Sequence, residues 1–414
     1  MVSWHRLPEE IRLAVFEVLL QDDCPLAGFT TVSREWQTVI EKHTFARFKL
    51  TSSRVPQLGS MVPPKKRSLV RYNRLCLELQ EYDCSRCAPE DLDSSFLNLS
   101  EWEPDSSLLL DVSIYSPSDS EHWFKYLTFE PDIGADTCGQ DQHAKQTMLV
   151  KARARADHHH GWNAGSRTSI PPLSITGVLF RQQNRRRWKP EALARMFARL
   201  SGLQEIHYEP WREWMGGQTQ WTDESFQQLF RSLTSHQLRS LVLFEHFNQT
   251  YPVTTYIDLG CDPMRIPSFH LSWTWPNLTW LALTFRLLGP QERSTELDGM
   301  LQAAAATAME MPNLETMEIW TGEKGLAMLF KYQRAWGGQP AVITCRGTWG
   351  LPLRTLVVEA WNAVAMRHRD QGLIAVKEVL DADSVKSHGD AISLLKLTKP
   401  VLRPVSLWQI RWSI

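Results

Sequence analysis

A short apolar pattern that returns four times constrains the fold more than any other feature of the sequence. Each copy has the form Leu-x-x-apolar-x-apolar, and the copies begin at Leu203, Leu238, Leu278 and Leu314. The starting leucines are separated by 35, 40 and 36 residues. Apolar residues that alternate in this way are typical of a β-strand with one buried face. Four strands at a similar spacing are therefore expected.

Helical patterns lie between the copies of this strand pattern. Apolar residues recur at i, i+3, i+4 and i+7 after Pro190 and again after Thr222, and a third helical stripe begins at Leu297. This alternation resembles leucine-rich-repeat-like solenoids, in which each unit buries its apolar face against the next. The sequence thus predicts a mixed α/β fold, an irregular leucine-rich-repeat-like solenoid with parallel strands.

Further elements are predicted on both sides of the four units. The apolar content of the C-terminal tail predicts that the tail packs on the fold as a cap. The predicted elements are strands at 75–79, 108–114 and 173–180, a helix from 117, a strand at 341–344, a helix at 353–364 and the tail at 390–410.

Two stretches interrupt the pattern. Apolar residues are rare from about 131 to 169, so this segment cannot bury enough surface to offset its ordering entropy and is predicted to be a flexible insertion. Residues 51–73 contain Pro63 and Pro64 and are predicted to be a solvated linker. The expected organisation is a helical module at 1–50, the linker, and an irregular solenoid at 74–414.

The N-terminal module begins with an unusually apolar helix. Pro8 suits the first turn of a helix, and the carboxylates of Glu9 and Glu10 are favoured there by the helix dipole. From Ile11 to Leu20, eight of ten residues are apolar, which is more than one buried stripe requires. The helix therefore needs cover on two sides, from this chain or from another protein. Because the solenoid has helices of its own and a linker intervenes, an external partner is favoured.

The same stretch carries a family resemblance. The run Leu7-Pro8-Glu9-Glu10-Ile11, the apolar positions that follow it, and the run Val32-Ser33-Arg34-Glu35-Trp36 together resemble an F-box. The whole chain also resembles uncharacterised fungal F-box-like proteins. F-box motifs dock on the adaptor subunit of cullin–RING ubiquitin ligases. The resemblance implies that the docking residues are Leu7, Pro8, Ile11, Val15, Phe16, Leu19 and Trp36.

A second predicted surface lies on the solenoid. If the leucines of the strand pattern point inward, the alternating residues line the open face of the sheet. Aromatic residues are enriched in binding hot spots, although several of the 18 tryptophans could instead fill space between irregular repeats. The residues predicted to bind a target protein are Glu205, His207, Trp211, Trp214, Phe244, Trp280, Glu318 and Trp320.

One basic run lies between a predicted strand and a predicted helix. It spans residues 181–189 and contains four arginines and one lysine. Arginine forms bidentate contacts with carboxylates and phosphates, so the run could receive an acidic or phosphorylated partner. A solvated loop with ordinary surface ion pairs is the alternative interpretation.

The sequence lacks the usual marks of several other functions. It has no phosphate loop, no G-x-S-x-G and no H-E-x-x-H, so we do not expect an enzyme. Seven scattered cysteines with a single C-x-x-C at 84–87 predict neither a disulfide framework nor a metal site, and no cofactor is expected. The net charge of −1 argues against nucleic-acid and membrane-surface binding. With no signal-peptide pattern, the chain is expected in the cytosol or nucleus.

Together these features predict a target-recognition adaptor of a cullin–RING ubiquitin ligase. The ligase adaptor and cullin subunits would be its partners at the N-terminal helices, and an unidentified target protein would bind the solenoid. The alternative is an interaction scaffold that retains an F-box-like fold without recruiting a ligase. In that case the second apolar side of the first helix would be buried against the solenoid.

Overall fold

We analysed the protein as a computed structural model. The structure describes residues 4–21, 25–78, 81, 108–115, 175–181, 190–209, 229, 233, 237–244, 274–285, 288–290, 294–404, 406–407 and 410. Several predictions lie outside these residues: the insertion at 131–169, the C-x-x-C at 84–87, and the helix after 117. Of the predicted helix after 222, the structure describes Leu229 and Leu233, which are helical and buried in the core.

The described strands form one eleven-stranded sheet in which the spatial order of the strands is their order in the chain. Every neighbouring pair from β1 to β8 is parallel, β9 is antiparallel to both β8 and β10, and β11 is parallel to β10. The strands are β1 (Arg47–Thr51), β2 (Tyr72–Glu78), β3 (Leu108–Tyr115), β4 (Ile175–Phe180), β5 (Glu205–Tyr208), β6 (Ser240–Leu243), β7 (Trp280–Thr284), β8 (Thr316–Glu323), β9 (Leu326–Gln333), β10 (Ala341–Gly347) and β11 (Leu373–Val379).

Helices precede the sheet and connect its strands. In the part of the chain that the structure describes, no helix is both long and apolar enough to cross a membrane. The α-helices are α1 (Glu9–Gln21), α2 (Arg34–Ala46), α3 (Leu58–Met61), α4 (Pro190–Phe197), α5 (Ser294–Met309), α6 (Thr355–Arg367) and α7 (His388–Leu395), and short 3-10 helices span Trp4–Arg6, Leu26–Thr31, Ser52–Gln57, Pro64–Leu69 and Ala382–Ser384.

The four predicted strand units become β5 to β8 and lie in register. Ile206 pairs with Leu241, Leu241 with Leu281, and Leu281 with Met317, all in parallel. Their apolar side chains enter one large core cluster together with residues of α4, α5 and α6. The predicted mixed α/β class, the parallel strands and the helices at 190, 297 and 353 are therefore confirmed.

The opposite face of the same strands is also covered. Alternate residues of β6 to β9 are buried in a second cluster with residues from the C-terminal part of the chain, which we call the C-terminal cover (residues 385–410). The prediction that the tail packs on the fold is confirmed. The expectation that this sheet face is open is wrong, because the chain's own tail lies on it. The residues that the cover contributes to the cluster are Val385, Ala391, Leu395, Val401, Leu402 and Ile410.

The predicted linker at 51–73 is packed on the fold. Leu58, Val62 and Val70 are buried in the first core cluster, and β1 pairs with β2 across this segment. Pro63 and Pro64 start the 3-10 helix Pro64–Leu69, which lies in the connection between β1 and β2. The expectation of a solvated linker is therefore wrong, because its apolar residues are buried in that core cluster.

Candidate functional site

An aromatic core holds the N-terminal helices together. Phe16 on α1 is 3% exposed. Its ring centroid lies 5.4 Å from that of Trp4 and 5.0 Å from that of Trp36, and Phe29 stacks on Trp36 at 5.9 Å. Phe16 and Trp36 were predicted to contact the ligase adaptor. They instead pack against each other, because the inward side of α1 needs a partner on α2.

Polar contacts fix the orientation of α1 on α2. The Glu35 carboxylate accepts hydrogen bonds from Trp4 Nε1 at 2.8 Å and from Arg12 Nη1 at 2.5 Å. These two hydrogen bonds, the one from Trp4 first, lower the pKa of Glu35. Ser33 Oγ accepts from the Trp36 N–H at 3.4 Å, which is the N-cap role predicted for this serine. The module therefore has its own core, and the rest of α1 is not needed to complete it.

An apolar stripe on α1 is left uncovered. Ile11, Val15 and Val18 are 50%, 39% and 63% exposed, and their i, i+4, i+7 spacing places them on one side of the helix. Leu19 lies next to Val15 on the helical wheel and is half-buried. We call these four residues the α1 stripe. Leu13 is also exposed, but it lies about 200° around the helix from Ile11.

The other predicted docking residues lie at the start of the helix. Leu7 is half-buried and Pro8 is exposed, immediately before α1. The sequence predicts that the helix needs cover on two sides. One side is covered within the module by the aromatic core, and the α1 stripe is exposed to solvent.

The predicted target-binding aromatics are core residues. Trp320 is fully buried, stacks on Phe244 with ring centroids 5.7 Å apart, and lies at the same distance from His388 of α7. Trp280 is buried as well, with Lys399 Nζ 5.0 Å from its ring centroid. Assigning these three aromatics to an exposed target surface is therefore wrong, because the C-terminal cover packs on them.

Glu318 anchors this cover to the sheet. Its buried Oε1 accepts from both the N–H and the Oγ1 of Thr398 at 2.7 Å, and its Oε2 accepts from Trp280 Nε1 at 3.0 Å. Lys331 Nζ lies 3.7 Å from the same carboxylate. Predicted as a target contact, Glu318 instead satisfies donors within the chain, as a buried carboxylate must.

Sequence reasoning missed a second anchor, Glu209. This buried carboxylate follows β5 and accepts from Ser406 Oγ at 2.7 Å and from the Arg403 N–H at 3.4 Å. A charged residue at the end of an apolar strand was the one available signal. Glu209 and Ser406 are 197 positions apart, so no local pattern connects them.

The remaining predicted target residues fall in different environments. The Glu205 side chain is 48% exposed, and it forms a hydrogen bond with the buried His207 ring, with Oε1 2.7 Å from Nε2. The hydrogen bond from His207 lowers the pKa of Glu205. Trp211 and Trp214 lie outside the described residues. Glu205 is thus the one predicted target residue that the structure describes as exposed.

The described part of the basic run is also internal. Arg181 is buried, and its Nη2 lies 2.8 Å from Asp111 Oδ2 on β3. The Tyr72 hydroxyl donates to the same carboxylate. Both interpretations of the basic run placed Arg181 at the surface. That placement is wrong, because Arg181 is buried and forms an ion pair with Asp111. Elsewhere in the described residues, no group of three His, Cys, Asp or Glu side chains is placed to hold a metal ion.

Comparison with known proteins covers the C-terminal third of the chain. Residues 264–403 are similar to a protein family described as a family of unknown function (DUF6546). This stretch contains β7 to β11 with α5, α6 and α7. No curated protein and no solved structure was found to be similar to the chain. The matched residues include most of the C-terminal cover, and the α1 stripe lies outside them.

Proposed function

We propose that this protein is an F-box-type target-recognition subunit of a cullin–RING ubiquitin ligase, which docks on the ligase adaptor through the α1 stripe. The exposure of that stripe is the observation that carries the proposal. Leu7 and Pro8 would extend the contact toward the start of α1. The chain would contribute proximity and orientation to ubiquitin transfer and no covalent chemistry of its own.

The exposed stripe is large enough to matter energetically. Fully burying an aliphatic side chain of this size contributes about 1.5–3 kcal/mol. Ile11, Val15 and Val18 are each roughly half exposed, so covering all three would contribute about 3 kcal/mol. Contiguous exposed apolar residues of this kind commonly mark a protein–protein contact.

For the rest of the chain we propose an irregular leucine-rich-repeat-like solenoid that presents a target. The sequential strand order and the parallel pairs from β1 to β8 support this interpretation. The antiparallel β9 departs from a regular repeat. Because Phe244, Trp280, Glu318 and Trp320 are internal, we place the target contact away from them. Among the predicted residues that the structure describes, Glu205 is the one that remains available.

The alternative, a scaffold without ligase recruitment, requires the second side of α1 to be buried against the sheet region. The exposure of Ile11 and Val18 argues against that arrangement. We therefore favour an external partner for this helix.

The α1 stripe can be tested against a control on the same helix. Val15→Glu places a charge within the stripe, and Leu13→Glu places one on an exposed apolar position outside it. We expect Val15→Glu to abolish recovery of the ligase adaptor and cullin in affinity purification, and Leu13→Glu to retain it. A known F-box protein serves as the positive control. Because both positions are exposed, the two variants should have the same melting temperature as the wild type.

The results that would refute the proposal are specific. If the wild-type chain recovers no adaptor or cullin where the control succeeds, ligase recruitment is wrong. If Val15→Glu and Leu13→Glu lose the adaptor to the same extent, binding does not depend on the α1 stripe.

A further inference from the structure

The exposed large apolar side chains of the described residues fall into two groups. One group is on α1 and at nearby Val32. The other lies between residues 336 and 379, at the far end of the sheet. Its members are Trp336, Leu356, Met366, Ile374, Val376 and Val379. Three of these six are on the last strand, β11, so the second group centres on a sheet edge.

β11 is an edge strand with an uncovered outer side. It pairs with β10 over seven positions, from Ala341↔Leu373 to Gly347↔Val379, without a register shift. It is last in the order of described strands, and every residue from Ile374 to Val379 is exposed on both faces. The opposite edge strand, β1, buries Leu50 completely. A regular, exposed and partly apolar edge is a template for pairing with another strand.

The backbone pattern shows which groups of β11 face outward. The Ala341 N–H donates to the Gly372 carbonyl at 3.0 Å, which directs the backbone groups of the even-numbered residues toward β10. The N–H and C=O groups of Leu373, Ala375 and Lys377 therefore point away from the sheet. In the part of the chain that the structure describes, β11 pairs with no strand but β10, so these groups can form the ladder of an added strand.

We propose that β11 pairs with β11 of a second copy of this chain, antiparallel and around a two-fold axis at Ala375. In this register Ala375 pairs with Ala375 of the second copy, and Leu373 pairs with Lys377. Both are hydrogen-bonded pairs, which use the outward backbone groups. It also places Ile374 opposite Val376 of the second copy, twice by symmetry. On each side of the axis, Ile374 of one copy and Val376 of the other thereby cover each other. The two sheets become one continuous sheet across the two copies.

Charge selects a second copy as the occupant of this edge. Two exposed arginines, Arg367 and Arg369, precede β11, and two exposed aspartates, Asp381 and Asp383, follow it. Antiparallel pairing at Ala375 brings the basic end of each copy to the acidic end of the other. Arg367 ends α6, Arg369 has a φ of 64°, and Asp381 and Asp383 lie at the start of the 3-10 helix Ala382–Ser384, so the two ends meet as groups of opposite charge beyond the paired strands. A parallel arrangement would instead bring like charges together.

Charge reversal tests this pairing. Arg367→Asp and Asp383→Arg each remove the net charge of one end, and with it the attraction at both places where a basic end meets an acidic end. Each variant alone should weaken self-association by about tenfold or more. A one-to-one mixture of the two variants restores the attraction at one of these two places and should form a heterodimer that is tighter than either variant's homodimer. Lys324→Asp, an exposed reversal in the turn between β8 and β9, is the matched control and should not change the dissociation constant.

Sedimentation velocity over about 1–100 µM full-length chain measures the association. We expect a monomer–dimer equilibrium for the wild type and for Lys324→Asp. A wild-type monomer at every concentration overturns the proposal, and the edge would then accept a strand of another protein. A dimer that Arg367→Asp and Asp383→Arg leave unchanged, or that mixing does not tighten, also overturns it.

Cysteine cross-linking tests the register. Across the axis, the Cα atoms of two Ala375 residues would be about 5.5 Å apart, within the range that a disulfide spans. Two residues at position 377 would be four positions out of register, about 13 Å apart along the strands. Under oxidation Ala375→Cys should therefore form a cross-linked dimer, and Lys377→Cys should match the wild-type background. Cross-linking through position 377 alone would overturn the register.

Discussion

Two tryptophans that look alike in the sequence should respond oppositely to substitution. Trp320 is fully buried between Phe244 and His388, beneath the C-terminal cover. Trp336 is 87% exposed in the turn between β9 and β10. We predict that Trp320→Ala strongly destabilises the protein, whereas Trp336→Ala leaves its stability almost unchanged.

The size of the effect follows from burial. A tryptophan side chain removes about 150–250 Å² from water, which at about 25 cal/mol per Å² corresponds to about 4–6 kcal/mol. Large-to-small core substitutions of aromatic residues cost about 3–5 kcal/mol. Exposed substitutions stay within about 0.5 kcal/mol. Because domains are stable by about 5–15 kcal/mol, Trp320→Ala removes a large share of the total.

Denaturation monitored by far-UV circular dichroism measures both variants without relying on tryptophan fluorescence, to which all 18 tryptophans contribute. We expect the unfolding midpoint of Trp320→Ala to fall well below that of the wild type, and that of Trp336→Ala to coincide with it. If Trp320→Ala shifts the midpoint as little as Trp336→Ala, the C-terminal cover does not pack on this face. The open recognition face that the sequence predicts would then be correct.

Two further predictions concern the C-terminal cover. Glu318→Ala removes the carboxylate that accepts from two Thr398 donors and from Trp280 Nε1. It should therefore lower the free energy of unfolding by about 3 kcal/mol and speed amide hydrogen exchange around Thr398. Unchanged exchange would contradict the role of Glu318 as an anchor. Burial lowers the pKa of His388 from 6.5 to about 4, so the unfolded chain takes up a proton in this range before the folded chain does. Stability should therefore fall as the pH drops from 6.5 toward 4, by about 2 kcal/mol at pH 5. His388→Gln should show a smaller loss between pH 7 and pH 5 in denaturant titrations, and a loss equal to that of the wild type would refute the role of His388.

Much of the fold could be predicted from local patterns. The alternation of apolar residues predicted β5 to β8 as strands of a parallel sheet, and the helical spacing of apolar residues predicted α4, α5 and α6. These predictions succeeded because burial on one face imposes a period of two on strands and of 3.6 on helices. β1, β9 and β11 were not predicted. β9 reverses the chain through Gly325, whose φ of 75° suits a tight turn, and its pairing depends on strands on both sides.

The candidate site shows the same division. An excess of apolar residues from Ile11 to Leu20 already predicts that α1 needs two covers. Which side of the helix is internal cannot be read from that excess, because it depends on the rings of Phe16 and Trp36 meeting across two helices.

Local patterns are enough to establish the repeating strand units, the two-sided first helix and an apolar tail that must pack. The position of this tail on the second face of the sheet follows instead from contacts between distant parts of the chain. The contacts that hold it there join Glu318 to Thr398 and Glu209 to Ser406, which are 80 and 197 positions apart. Periodicity reports how many faces of an element are buried. Which part of the chain covers each face depends on long-range packing and on buried carboxylates finding donors, which no local pattern records.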